Sequence, residues 1–424
     1  MTDGAHPVTA LQPKLGLFSA TAIGVGTIIG AGIYVVIGIS TGLAGPAIII
    51  SILIAAAVSL LTALSFSELV AWLPKEGGVY EFARELLSPY MGFITGWMWL
   101  LSNVFTGAAV ALGFAAYFGQ IAGGIPTSLL AALTCIAFTV LNYVGIKRSA
   151  SVNSLLVVAK LAILAFFVGF GFFFIHTSDF VPFLPSTSGV LYASVFIFFA
   201  FGGFARVAVI AEEVKDPRRT IPKAILLSLL ISSIFYVLVG LVAVGLVGPG
   251  ALSGSSSPLA TAIDSTGFSA AVYLVSVGGL LATASVLLTS VLGVSRVAYA
   301  MARRGDLPRS MAKLHPVFST PHYSVVMSGT VMIVLVLFLN LKNVVAISTI
   351  TMLFYYGVAN AAALKLERKA RVYPRVVPVL GMASCFVLLA FALPASPEAW
   401  IAGLVGLALG TGFYGYRMRK PART

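Results

Sequence analysis

Gly24-Val25-Gly26-Thr27-Ile28-Ile29-Gly30-Ala31-Gly32-Ile33-Tyr34 is the stretch whose reading decides the fold. It lies inside the first long apolar run, residues 15–40, and places four glycines within nine residues. A glycine in a helix interior is about 1 kcal/mol less favourable than alanine. A helix buried in lipid gains nothing from that unless something must approach its backbone. Transporters build substrate sites at the bilayer midplane from interrupted helices, so the stretch predicts a helix broken to hold a small substrate. Helix packing is the competing use: Gly26 and Gly30, like Gly38 and Gly42, have the GxxxG spacing that brings helices close.

The rest of the chain supplies the membrane. Of its 424 residues, 59% are hydrophobic and 9% charged, whereas a soluble domain carries about a quarter charged. Runs long enough to cross ~30 Å of hydrocarbon recur from end to end, and the short alternating strands of an outer-membrane barrel are absent. The fold class is an all-α polytopic membrane protein with twelve transmembrane helices, at about 15–40, 46–73, 91–118, 129–144, 152–175 and 190–211, then 224–247, 270–302, 325–341, 344–366, 376–393 and 400–416. The whole chain reads as one transporter domain. No cleavable leader is expected, because the first apolar run is too long for one.

The formal charge of +13 follows from topology rather than from nucleic-acid binding. One set of loops holds 23 of the 26 Lys and Arg residues, among them Lys14, Lys147, Arg148 and Arg219, and the opposite set holds only Lys342. The positive-inside rule then puts both termini in the cytoplasm and the protein in the cytoplasmic membrane. Cys135 and Cys385 fall in apolar spans and read as core residues. The loop 248–269 is turn-rich and has no evident chemistry.

A second glycine break, Phe199-Ala200-Phe201-Gly202-Gly203-Phe204, lies in the sixth span. Breaks in the first and sixth spans, five apart and crossing in opposite directions, suit an inverted five-helix repeat whose discontinuous helices meet at the midplane. Its halves are residues 15–178 and 188–366, with two extra helices over 376–416. Freed N–H groups at a half-helix start suit a carboxylate, and freed carbonyls suit an ammonium. The two charged ends of an amino acid match that pair.

Few polar residues lie deep. Lys160, about eight residues into the fifth span, is a functional candidate; desolvation disfavours its charged form, which suits proton loading and release. Arg206 follows the second break and is within reach of Glu213, with Glu68 as another partner; capping at the membrane interface is the simpler role for Glu68. Asn103, Thr289 and Ser290 either face the site or bond neighbouring helices. No histidine lies deep in a span, and neither a metal site nor an enzyme motif is present, so no cofactor and no catalysis are expected.

Four motifs resemble one family. Gly26-Thr27-Ile28-Ile29-Gly30-Ala31-Gly32-Ile33-Tyr34 is similar to the first-helix signature of the amino acid–polyamine–organocation superfamily. Phe198-Phe199-Ala200-Phe201-Gly202-Gly203-Phe204-Ala205, with Glu212 and Glu213 beyond it, resembles the sixth-helix signature. Leu73-Pro74-Lys75-Glu76-Gly77-Gly78-Val79-Tyr80 and Ser295-Arg296-Val297-Ala298-Tyr299, followed by Gly305-Asp306-Leu307-Pro308, resemble two more. Prokaryotic relatives of the cationic amino acid transporter branch look closest.

The resemblance implies the LeuT-type fold of two inverted five-helix repeats and secondary transport by alternating access. By position, the amides of Ala31, Gly32 and Ile33, with Gly30 beside them, would hold the substrate carboxylate. The carbonyls of Ile28, Phe199 and Gly202 would receive its amino group, with Gly203 adjacent and Phe199 as a lid or gate. Asn103 falls near the third-helix contact. Lys160 matches the fifth-helix lysine of proton-coupled members, with the Gly26 carbonyl and Thr289 or Ser290 as partners. Ala205 stands where members carrying cationic substrates are often acidic, so no counter-charge for such a side chain is evident. The reading is proton-coupled uptake of neutral, small or apolar L-amino acids, with the amino acid, protons and the lipid bilayer as partners. The alternatives are an amino acid/polyamine exchanger and a membrane sensor that binds an amino acid without moving it.

Overall fold

The glycine-rich run ends its helix where the sequence concentrates the least helix propensity. In the computed structural model, which describes residues 15–75, 77–145, 150–183 and 186–418, α1 (Leu17–Ile28) stops at Ile29. Ile29 takes an extended conformation, φ −76° and ψ 97°. The chain resumes as a wide π-turn over Gly32–Val36 and continues as α2 (Ile37–Ala44). Gly45, at φ 58°, and Pro46 then separate α2 from α3 (Ile48–Trp72).

The following elements are helical throughout. A short amphipathic α4 (Val79–Leu86) precedes α5 (Pro89–Ile121), α6 (Thr127–Val144) and α7 (Ala150–Gly171). Next, α8 (Thr187–Phe201) passes directly into a 3-10 helix over Gly202–Glu213. The remaining helices are α9 (Pro217–Ser253), α10 (Pro258–Asp264), α11 (Ser269–Arg303), α12 (His322–Phe338), α13 (Leu341–Leu364), α14 (Val376–Ala395) and α15 (Pro397–Met418). Among the described residues no strand forms, and the one β-type contact is the bridge between Leu15 and Val214.

Among the described residues ten helical runs are long and apolar enough to cross a membrane. The twelve spans read from the sequence and these ten runs differ in two places. Leu17–Trp72 is a single 56-residue run that covers the first two spans, and His322–Phe338, at 17 residues, is shorter than the rest. The loop 248–269 is partly helical: α9 continues to Ser253 across a kink at Gly248 (φ 70°), where Pro249 cannot sustain the helix ladder, and α10 follows. Lys14, Glu76, Lys147, Arg148, Arg419, Lys420 and Arg423 lie outside the described residues, as do the side chains of Glu212 and Glu213.

Burial sorts the helices. The core takes in α5, α8 and α13, whereas α6, α14 and α15 leave Leu133, Ile136, Phe386, Val387, Ile401 and Leu409 exposed on the outside. Apolar side chains on the outer face and a dry, helix-satisfied backbone suit hydrocarbon as the solvent. Cys135 and Cys385 are both buried and unbridged.

Candidate functional site

The two breaks touch. A Cβ added at Gly203 would overlap the Thr27 carbonyl, and one at Gly32 would overlap Ala200; only glycine permits this approach. Thr27 Oγ1 donates to the carbonyls of Gly24 and Gly203, both at 2.9 Å. The Tyr236 hydroxyl of α9 lies 2.9 Å from both the Ile28 and the Ala200 carbonyl, so one donor is shared between the two breaks. The Tyr356 hydroxyl of α13 donates to Gly202 O at 2.8 Å. Side chains thus take up carbonyls that the interrupted helices release, as buried backbone requires.

The second break differs from its sequence reading. Gly202 keeps right-handed helical angles, φ −61° and ψ −7°, and the chain tightens into 3-10 helix instead of becoming extended. The carbonyls of Gly202 and Gly203 go to Tyr356 and Thr27, so the α-ladder is not continued there. A 3-10 run of 12 residues is long for that geometry and marks a strained or hinge-like segment.

Lys160 is fully buried, at 0% exposure. Its Nζ donates to Gly26 O at 2.8 Å, Ile29 O at 2.7 Å and Ser285 Oγ at 3.1 Å. The hydroxyl at the lysine is therefore that of Ser285 and not of Thr289 or Ser290. Those two, one turn or more further along α11, donate to carbonyls of their own helix, Thr289 to Ser285 and Val286 and Ser290 to Val286. Helical rotation decides this: Ser285 faces α7, and its neighbour Val286 faces a cavity on the other side.

That cavity lies between the breaks and α5, α11 and α13. It brings together Ile28, Gly30, Ala31, Gly32, Asn103, Phe199, Gly202 and Gly203. Ile33 and Ala205 are buried but do not line it, because the π-turn and the 3-10 helix rotate them away. The sequence reading missed Thr27, Thr106, Val286, Met352 and Tyr355 on its walls. One signal was available: Asn103, Thr106 and Val110 recur at i, i+3 and i+7 on one face of α5.

Arg206 also lines the cavity. Its Nε and Nη2 donate to Asn103 Oδ1 at 3.2 and 2.9 Å, and Asn103 Nδ2 donates to Trp99 O. The arginine is thus paired with Asn103 rather than with Glu68. The Glu213 side chain lies outside what is described. Glu68 Oε1 instead accepts the amides of Val372 (2.6 Å) and Tyr373, fastening the segment before α14 to α3.

Two of the sequence motifs meet at the far end of α5. The Asp306 carboxylate accepts from the Tyr80 hydroxyl at 2.7 Å, Arg84 at 2.6 Å and Arg417 at 3.0 Å. Burial, then the hydrogen bond to Asp306, push the Tyr80 phenol upward. Arg304 binds Glu81 through two bonds, at 3.0 and 2.5 Å. Burial lowers its guanidinium, but the Glu81 hydrogen bond and charge outweigh it and leave it raised. Among the described residues no group of His, Cys, Asp and Glu could hold a metal ion.

A family model described as amino acid permease matches residues 19–412. An uncharacterized transporter of Mycobacterium tuberculosis is 35% identical over 413 residues, covering 96% of this chain and 92% of that one. The branched-chain amino acid permease BcaP of Bacillus subtilis is 32% identical over 406 residues, 89% of this chain and 87% of its own. The methylthioribose transporter of Bacillus subtilis is 30% identical over 440 residues, with 97% and 94% covered.

Proposed function

The chain belongs to the amino acid permease family, and from that premise we propose that it is a secondary active transporter for proton-coupled uptake of neutral, small or apolar L-amino acids. The observation that carries the coupling is the buried ammonium of Lys160 on the carbonyls of Gly26 and Ile29, beside the first break. A protonated amine has three N–H donors and a neutral one has two. Releasing the proton therefore removes one of the three bonds to Gly26 O, Ile29 O and Ser285 Oγ, and the break loosens. Protonation and the shape of the substrate site are tied through that one nitrogen.

In this reading the cavity between the breaks is the substrate site. The amides of Ala31 and Gly32 receive the carboxylate, without Ile33, which does not line the cavity, and the carbonyls of Ile28, Phe199 and Gly202 receive the amino group. Two of those carbonyls already accept from Tyr236 and Tyr356; each has a second lone pair to offer. Phe199 serves as the gate. The frame is a LeuT-type pair of inverted repeats over 15–178 and 188–366, with twelve spans, both termini cytoplasmic and alternating access by motion at the breaks. BcaP is named for branched-chain amino acids, which supports a neutral apolar substrate.

The test is uptake of radiolabelled L-alanine and L-leucine into proteoliposomes under imposed proton or sodium gradients. Accumulation driven by the proton gradient alone is expected. Sodium-driven accumulation, or equilibration without concentration, would sink the mechanism. Binding without counterflow would point to a sensor instead.

A further inference from the structure

Among the described residues Arg206 is the one cation lining the central cavity, and it is 9% exposed. Burying a guanidinium is expensive unless charge or hydrogen bonds compensate it. Asn103 holds one edge, Nε with Nη2, which fixes the plane of the group. The other end is different: Nη1 is buried and has no hydrogen-bond partner. Among the described residues no carboxylate lines the cavity.

Thr27, Thr106 and Asn103 on the cavity walls are engaged. Thr27 donates to Gly24 and Gly203, Thr106 donates to the Ser102 carbonyl, and Asn103 donates to Trp99 O while its Oδ1 accepts from Arg206. Among the described residues, Nη1 is the buried side-chain donor of the cavity wall that has no hydrogen-bond partner. It belongs to the 3-10 segment of the second break, whereas the amides assigned to the substrate carboxylate belong to the first. With the carboxylate on the amides of the first break and the amino group on the carbonyls of both breaks, the part of the substrate left for Arg206 is its side chain.

We propose that Arg206 is a specificity-determining residue whose Nη1 donates to a side-chain carbonyl or carboxylate oxygen of the transported amino acid, and which excludes cationic side chains. This rests on the cavity being the substrate site, as above, and moves the preferred side chain from the apolar class proposed there to one that carries a carboxamide or carboxylate. Among substrates of nearly equal size, a carboxamide or carboxylate tip is favoured over an aliphatic one. Asparagine and aspartate are thus favoured over leucine. Lysine meets a like charge.

The experiment is a binding and uptake panel on the full-length protein, using L-leucine, L-asparagine, L-aspartate and L-lysine. It compares the wild type with Arg206→Met, which keeps the apolar stem, and Arg206→Lys, which keeps a charge on a shorter reach. Binding is read by ligand-induced thermal shift in detergent, and uptake by competition in proteoliposomes. In the wild type, asparagine or aspartate should bind at least tenfold more tightly than leucine, with lysine weakest. A hydrogen bond to a charged group corresponds to about a tenfold to hundredfold effect, so Arg206→Met should remove that preference and admit lysine. Arg206→Lys should restore part of it.

Three results would overturn the proposal. One is an unchanged ranking in Arg206→Met, which makes the arginine a strut to Asn103. Another is equal loss of all four ligands in a folded variant, which places Arg206 at the common carboxylate. The third is a wild type that binds leucine as well as asparagine and aspartate. If the ligands bind with the expected ranking but are not carried, the transport reading fails and this one stands.

Discussion

Replacing Lys160 separates its structural and its coupling roles. Lys160→Met keeps the length of the stem and removes every donor. The carbonyls of Gly26 and Ile29 then lose bonds of 2.8 and 2.7 Å at a site with 0% exposure of the lysine. Hydrogen bonds to charged groups contribute about 1.5–3 kcal/mol each, so the two together are about 3–6 kcal/mol. That is a large share of the roughly 5–15 kcal/mol that separates folded from unfolded states in ordinary domains. The methionine variant should therefore melt earlier in detergent and lose proton-driven accumulation. Lys160→Arg is the sharper test. It retains a permanent charge and donors in the same region, at a packing penalty of about 1–3 kcal/mol, but it cannot release a proton. It should bind substrate and support exchange between substrate pools, while accumulation under a proton gradient disappears. The assay is paired counterflow and gradient-driven uptake on one preparation. Full gradient-driven accumulation by either variant would refute the coupling argument.

Other perturbations act at separate points. Tyr236→Phe removes the hydroxyl shared by Ile28 O and Ala200 O, which should destabilise by about 1–3 kcal/mol and raise the substrate KM; an unchanged melting midpoint and KM would count against its role as a tie between the breaks. Gly203→Ala drives a methyl into the Thr27 carbonyl, so uptake should fall at least tenfold, whereas Gly16→Ala, which meets nothing within 4 Å, should leave uptake unaltered. Asp306→Asn weakens a carboxylate bound by Tyr80, Arg84 and Arg417 and should cost about 1–3 kcal/mol. Thermal inactivation checks this, and wild-type behaviour of the variant would mean the cluster adds no stability.

Hydropathy and charge settled the helical membrane character, because lipid permits little else and topology biases Lys and Arg to one side. The glycine clusters located both breaks within a residue or two, since a close backbone approach excludes a Cβ whatever the surroundings. Lys160 stood out by the expense of an ammonium among Val157, Val158, Leu161 and Ile163. Other features were invisible in the chain. The partner hydroxyl at Lys160 is Ser285 because the rotation of α11 about its axis is fixed by packing against α5 and α7, and a one-position change of face is not written in an apolar helix. The 3-10 form of the second break depends on Tyr356 and Thr27 arriving from distant helices to take its carbonyls. Arg206 and Asn103, far apart in sequence, meet only when α5 crosses the 3-10 segment. Local composition determined where this chain bends and what solvent surrounds it; long-range packing decided which side chain answers each buried polar group, since that pairing depends on how the helices are turned toward one another.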